Sequence, residues 1–122
     1  MATILVAEDR SVQRDRVRRI LAQAGHSVTV ARNGVEAIDR YAEMRPDVVI
    51  MDLFMPVMNG FDAMMHLMRM FPGVRVIAMS DGTGTIGWQA LNVALSLGAA
   101  GAVEKPLQHS PLLRVVEETL AA

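Results

Sequence analysis

The chain has no cysteine, which excludes a disulfide framework and any thiolate metal site and fits an intracellular, cytoplasmic setting. It also lacks a long apolar run, since no stretch approaches the roughly 20 consecutive apolar residues that cross a bilayer. The start, Met1-Ala-Thr-Ile-Leu-Val-Ala-Glu-Asp9, reaches acids after a few apolar residues. It has neither the basic beginning nor the extended apolar core of a signal peptide. Neither sign of charge prevails: 12 basic against 13 acidic residues leave a formal net charge of −1, which argues against direct nucleic-acid binding through a basic surface. No internal repeat, linker or low-complexity tail is visible. What remains is a chain of 122 residues, about half of them apolar, read as one domain over residues 1–122 with a real core.

Short apolar runs alternate with amphipathic stretches. Thr3–Ala7 is an apolar run ending in Glu8 and Asp9. A helix follows, with Ser11 as N-cap, Val17, Ile20, Leu21 and Ala24 on one face, and Gly25 as its stop. Ser27–Ala31 alternates polar and apolar residues and reads as a strand toward the sheet edge. Asn33-Gly34-Val35-Glu36 has the form of a capping box and opens a helix through Ile38, Tyr41 and Ala42. Pro46 leads into Val48–Met51, too short for a buried helix and rich in β-branched residues. Phe61–Phe71 reads as a helix, Pro72-Gly73 as a turn and Arg75–Met79 as a strand closed by Ser80-Asp81. Gly82–Gly87 reads as a flexible loop before a helix over Trp88–Leu97. Gly101–Val103 is a short strand before Glu104-Lys105-Pro106. Ser110-Pro111 starts a last helix whose face is Leu112, Leu113, Val116 and Leu120. Five strands alternating with five helices predict an α/β, doubly wound parallel sheet. The strand order 2-1-3-4-5 is taken over from flavodoxin-like sheets rather than read from the residues.

The stretch Pro46–Gly60 organises the rest. Its strand ends on Asp52, and ligand sites in open α/β sheets lie beyond the carboxyl ends of the strands. An acid there is a first candidate for chemistry, although Asp also commonly closes strands and opens turns. With the order 2-1-3-4-5, Asp9 and Asp52 end neighbouring strands. Glu8, Asp9 and Asp52 together repel one another and raise their pKa values unless a cation sits among them. Hard oxygen ligands with room for waters suit Mg²⁺. Lys105 and the hydroxyl of Ser80, at two further strand ends, supply what an anion beside the metal needs.

Ile4-Leu-Val-Ala-Glu-Asp9, the Pro46–Gly60 stretch, Gly98-Ala99 and Lys105-Pro106 resemble, across the whole chain, the receiver domain of two-component response regulators. The resemblance implies that Asp52 is the phosphoryl acceptor, attacking a phosphohistidine on a sensor histidine kinase or a histidine phosphotransfer protein. It implies that Asp9, Asp52 and the backbone carbonyl of Phe54 bind Mg²⁺, with Glu8 acting through water. Ser80 turns toward the phosphoryl group, Lys105 pairs with it, and the Lys105-Pro106 peptide is cis. The chemistry agrees, because phosphoryl transfer asks mainly for in-line positioning and neutralised oxygens. Such a protein catalyses its own aspartyl phosphorylation and dephosphorylation. The chain ends soon after the last helix, so a stand-alone receiver is expected, signalling by binding a downstream protein or by phosphorelay. A fragment of a larger regulator reads the same way. The rival is a phosphorylation-independent interaction module that keeps the site as a relic.

Several positions depart from that pattern. Ala102 stands where receivers usually carry an aromatic, which removes the familiar coupling of hydroxyl and aromatic rotamers. Asp81 follows Ser80 where a small residue is common, and the loop to Gly87 is longer than usual. That loop and the next helix's start are expected to carry the activation change, with backbone amides able to contact a phosphoryl oxygen. Gly82-Thr-Gly-Thr lacks the Gly-Lys-Ser/Thr ending of a nucleotide phosphate loop. The methionines between Met44 and Met79 read as adaptable core packing with some exposed as a partner surface. His26, His66 and His109 fall away from the predicted site. Arg10, Arg14, Arg16, Arg18 and Arg19 spread around the first helix and read as a solvated face on which a kinase could dock. Trp88 fits either a core anchor or an exposed contact.

Overall fold

Apolar strands that alternate with amphipathic helices have one compact solution, a sheet covered on both faces. The computed structural model of the chain takes it, and describes residues 1–81, 85–105 and 108–122. Among these, β1 (Thr3–Ala7), β2 (Ser27–Ala31), β3 (Val48–Asp52), β4 (Val76–Asp81) and β5 (Gly101–Lys105) alternate with five helices. These are α1 (Ser11–Gln23), α2 (Gly34–Met44), α3 (Gly60–Met70), α4 (Thr85–Leu97) and α5 (His109–Ala121). The strands form one parallel sheet in the order β2-β1-β3-β4-β5, the expected flavodoxin-like arrangement with β2 at an edge.

Strand alternation divides the core into two layers. Leu5, Ala7, Val49 and Met51 pack with Ala37 and Tyr41 of α2, Met64 and Leu67 of α3, and Leu91 and Ala94 of α4. Ile4, Val6, Val48, Ile50 and Met79 pack on the other face with Val17, Ile20 and Leu21 of α1 and Leu112 and Val116 of α5. β3 is buried along its whole length, as a central strand between two helix layers must be. Met51, Met64 and Met79 are fully buried, whereas Met65 and Met70 reach the surface. Trp88 is largely exposed on α4.

Element ends differ from the sequence reading in specific ways. Arg10, not Ser11, caps α1 and uses no side-chain bond; its carbonyl accepts the Arg14 N–H at 2.9 Å. Ala24 lies at the exposed C-cap and Ala42 also faces outward. At α2, Asn33 accepts the Glu36 N–H at 2.9 Å, but Glu36 reaches back to Arg32 N–H rather than to the cap itself. α3 begins at Gly60, capped by Asn59. α4 begins at Thr85, so Thr85, Ile86 and Gly87 are helical rather than loop. α5 starts at His109 with Gln108 as cap, which puts Pro111 inside the first turn instead of at the boundary. Strands β4 and β5 run on through Asp81 and Lys105, because Ser80 pairs with Glu104 and Asp81 with Lys105. The rest of the expected mobile loop, Gly82-Thr-Gly84, and the Pro106 of the expected cis peptide lie outside the described residues. No helix of the described chain is long and apolar enough to cross a membrane.

Candidate functional site

The site follows from register. Ala7 pairs with Met51, so the acids that follow them, Glu8 and Asp52, emerge side by side at the carboxyl end of β1 and β3. Alternation sets Glu8 beyond Ile4 and Val6, Asp52 beyond Val48 and Ile50, and Lys105 beyond Val103, all on the layer shared with α1 and α5. Lys105 accordingly reaches both acids. Its Nζ donates to Glu8 Oε1 at 2.5 Å and to Asp52 Oδ2 at 3.1 Å.

All three groups are buried, with Glu8 at 0%, Asp52 at 3% and Lys105 at 7% exposure. Two carboxylates out of water cannot be balanced fully by one ammonium. Burial raises the Glu8 pKa above the usual carboxylate range, and the neighbouring Asp52 adds to the rise while Lys105 opposes it. Asp9 is half-buried, and one carboxylate oxygen each from Glu8, Asp9 and Asp52 lie within 4.8 Å of one another. Such a spacing of hard oxygens fits one divalent cation.

The other Asp52 oxygen, Oδ1, accepts the backbone N–H of Phe54 at 3.2 Å. That bond holds the carboxylate where the chain leaves β3. Phe54 itself is half-exposed and makes an edge-on contact with Phe61, with ring centroids 6.2 Å apart. Ser80 sits one residue beyond Met79, and alternation turns it toward the opposite layer. Its hydroxyl is fully buried and has no hydrogen-bond partner among the described residues. Ser80 is therefore close in register but not joined to the Glu8–Lys105–Asp52 cluster by a hydrogen bond.

A small cavity of about 50 Å³ opens onto Asp52, lined also by Arg10, Phe54, Asp81 and Lys105. The sequence reading singled out neither Arg10 nor Arg14 for the site. Arg14 donates to the backbone carbonyls of Glu8 at 3.1 Å and Asp9 at 3.3 Å. It thereby fixes the β1–α1 turn rather than belonging to a solvated face. The available signal was position, since Arg10 directly follows the acid pair and Arg14 lies one helical turn beyond it. His26 takes the Ala2 N–H at 3.1 Å, remote from the acids. His109 lines a different groove with Arg16 and Arg19.

Comparison with known proteins gives one answer. The family model for the response regulator receiver domain matches residues 4–117. Chemotaxis protein CheY of Thermotoga maritima is 38% identical over 116 residues, covering 93% of this chain and 91% of the relative. CheY of Listeria monocytogenes is 32% identical over 120 residues, 97% of this chain and 98% of the relative. Among solved structures, the receiver domain of NtrX from Brucella abortus superposes with a TM-score of 0.91 at 25% identity, covering 98% of each chain. Sheet order, the acids at the ends of β1 and β3 and these likenesses agree, and the chain belongs to the response regulator receiver domain family.

Proposed function

We propose that this receiver takes a phosphoryl group from a phosphohistidine onto Asp52, in a Mg²⁺-dependent reaction, and signals by phosphorylation-dependent protein binding or by onward phosphorelay. The observation that carries the reading is the buried Asp52 carboxylate, paired with Lys105 at 3.1 Å inside an acidic cluster and reached through a small cavity. An Asp52 oxygen attacks phosphorus; the new P–O bond forms as the P–N bond breaks, and the electron pair leaves with the imidazole nitrogen. Lys105 exchanges its bond to Asp52 for one to a phosphoryl oxygen, which keeps the ammonium paired throughout. Ser80, whose hydroxyl has no partner among the described residues, has a hydrogen bond to give to another phosphoryl oxygen.

Three carboxylates against one ammonium leave the pocket with surplus negative charge, and their oxygens are close enough to share one cation. Asp9, Asp52 and the backbone carbonyl of Phe54 would hold Mg²⁺, with Glu8 supporting it through water. Bound there, the ion supplies charge neutralisation for the acceptor and the transferred group. The resemblance of the chain supports action in the cytoplasm, with a sensor histidine kinase or histidine phosphotransfer protein as donor and a downstream protein as target.

The test is incubation with Mg²⁺ and acetyl phosphate, followed by intact mass measurement. One added phosphoryl group is expected for the native chain and none for Asp52→Asn. Absence of labelling from small donors and from histidine kinases alike would instead favour a phosphorylation-independent binding module.

A further inference from the structure

The acceptor cavity is bounded by more charge than the reaction requires. Arg10 and Asp81, one from the start of α1 and one from the end of β4, line it together with Asp52, Phe54 and Lys105. Glu8 and Asp9 stand just behind Asp52. An incoming phosphoryl donor is itself an anion, and across the site as a whole the carboxylates of Glu8, Asp9, Asp52 and Asp81 outnumber the cations Arg10 and Lys105. Until the donor has entered, Lys105 is paired with Glu8 and Asp52 inside. Arg10 is exposed and makes no capping bond with its side chain. Its planar guanidinium suits bidentate contact with phosphoryl oxygens.

We propose that Arg10 is a donor-binding, specificity-determining residue that selects the phosphodonor by charge, its guanidinium engaging non-bridging oxygens of the donor's phosphoryl group at the cavity mouth. This inference rests on Asp52 being the acceptor. It predicts that Arg10 contributes mainly to capture of strongly anionic donors, and little to the maximal rate once a donor is bound.

The experiment measures Asp52 phosphorylation at saturating Mg²⁺ over a range of donor concentrations. Two donors are compared, acetyl phosphate and the less anionic phosphoramidate. For Arg10→Gln the half-saturating concentration of acetyl phosphate is expected to rise about three- to tenfold. The maximal rate should stay within about twofold, the phosphoramidate profile should move less, and the salt dependence of acetyl phosphate labelling should weaken. Arg10→Lys should restore part of the loss. Arg16→Gln removes the same charge from a part of α1 that faces a different groove, and should leave both profiles unchanged. Thermal melting identifies any variant that fails to fold, and Arg10→Lys then carries the comparison alone.

Equal effects of Arg10→Gln on both donors, equal effects of the Arg10 and Arg16 variants, or no change at all would overturn the proposal. If the native chain itself accepted no phosphoryl group, the acceptor reading would fail instead. The two failures are thus distinguishable.

Discussion

Val57 holds the most strained backbone position beside the site. It has φ of +70°, and Met58 N–H donates to the Pro56 carbonyl across it at 2.8 Å. A tight three-residue turn of this hand is rare, and a β-branched side chain makes it worse. The strain costs about 1–3 kcal/mol, while glycine there would lose roughly 0.5–1 kcal/mol through unfolded-state freedom. The side chain is 81% exposed and buries little, so strain decides the sign. Val57→Gly should stabilise the fold by about 0.5–1 kcal/mol, read from urea unfolding; a lower midpoint would show that the turn is not strained. Phe54 acts differently. Half-exposed and braced against Phe61, it lines the Asp52 cavity, and in the proposed reaction its ring would keep water from an aspartyl phosphate. Phe54→Asn replaces that cover with a polar group able to orient water. Loss of the phosphoryl group should speed up roughly fivefold, worth about 1 kcal/mol of barrier. An unchanged decay rate after donor removal would exclude shielding by the ring.

At the scale of elements, α3 is seated on β3 through a glycine. A Cβ on Gly60 would lie 2.1 Å from the Asp52 carbonyl oxygen and 2.7 Å from Leu53 Cα, both backbone atoms that cannot step aside. Gly60 N–H also donates to the Leu53 carbonyl at 2.9 Å. Gly60→Ala should therefore push α3 off β3, costing at least about 2–3 kcal/mol and impairing phosphoryl acceptance together with stability. A variant as stable as the native chain would mean that this approach is looser than the geometry states. The apolar runs told where the strands lie, and Asn33 marked a helix start through a cap that local sequence specifies, whereas the sequence reading starts α3 at Phe61 and misses the cap at Asn59. Ser11 and Ser110 misled because a helix begins where the chain leaves the preceding loop, whether or not its best capping residue is there. Polar Ser80 and Lys105 looked like the ends of the runs, yet parallel pairing uses backbone groups, and each had a partner across the sheet. The acids and Lys105 could be read as one site only through strand order, which no local pattern contains. Arg10 and Arg14 were lost among the arginines of α1 because helical period separates faces but says nothing of which loop a side chain meets.

Across the whole molecule, five parallel strands with apolar faces hold charged groups at one end that would not choose each other's company. The sheet and its two helix layers supply the stability that keeps Glu8, Asp9 and Asp52 together, and Lys105 offsets only part of their repulsion. A ligand that binds the folded site and not the unfolded chain stabilises by mass action, about 2.7 kcal/mol at a hundredfold excess over its dissociation constant. Mg²⁺ added to the native chain should thus raise the melting temperature by several degrees over its value in EDTA. Asp9→Asn keeps the shape of a half-buried side chain while removing one of the repelling charges. In EDTA it should melt no lower than the native chain, because repulsion falls, whereas most of the Mg²⁺-dependent gain should vanish with the ligand. The two effects run in opposite directions, so a general weakening of the fold cannot imitate them. If Asp9→Asn melted lower in EDTA and still gained as much from Mg²⁺, Asp9 would be a structural residue of the β1–α1 turn, and the cation would owe its place to Asp52 and Glu8.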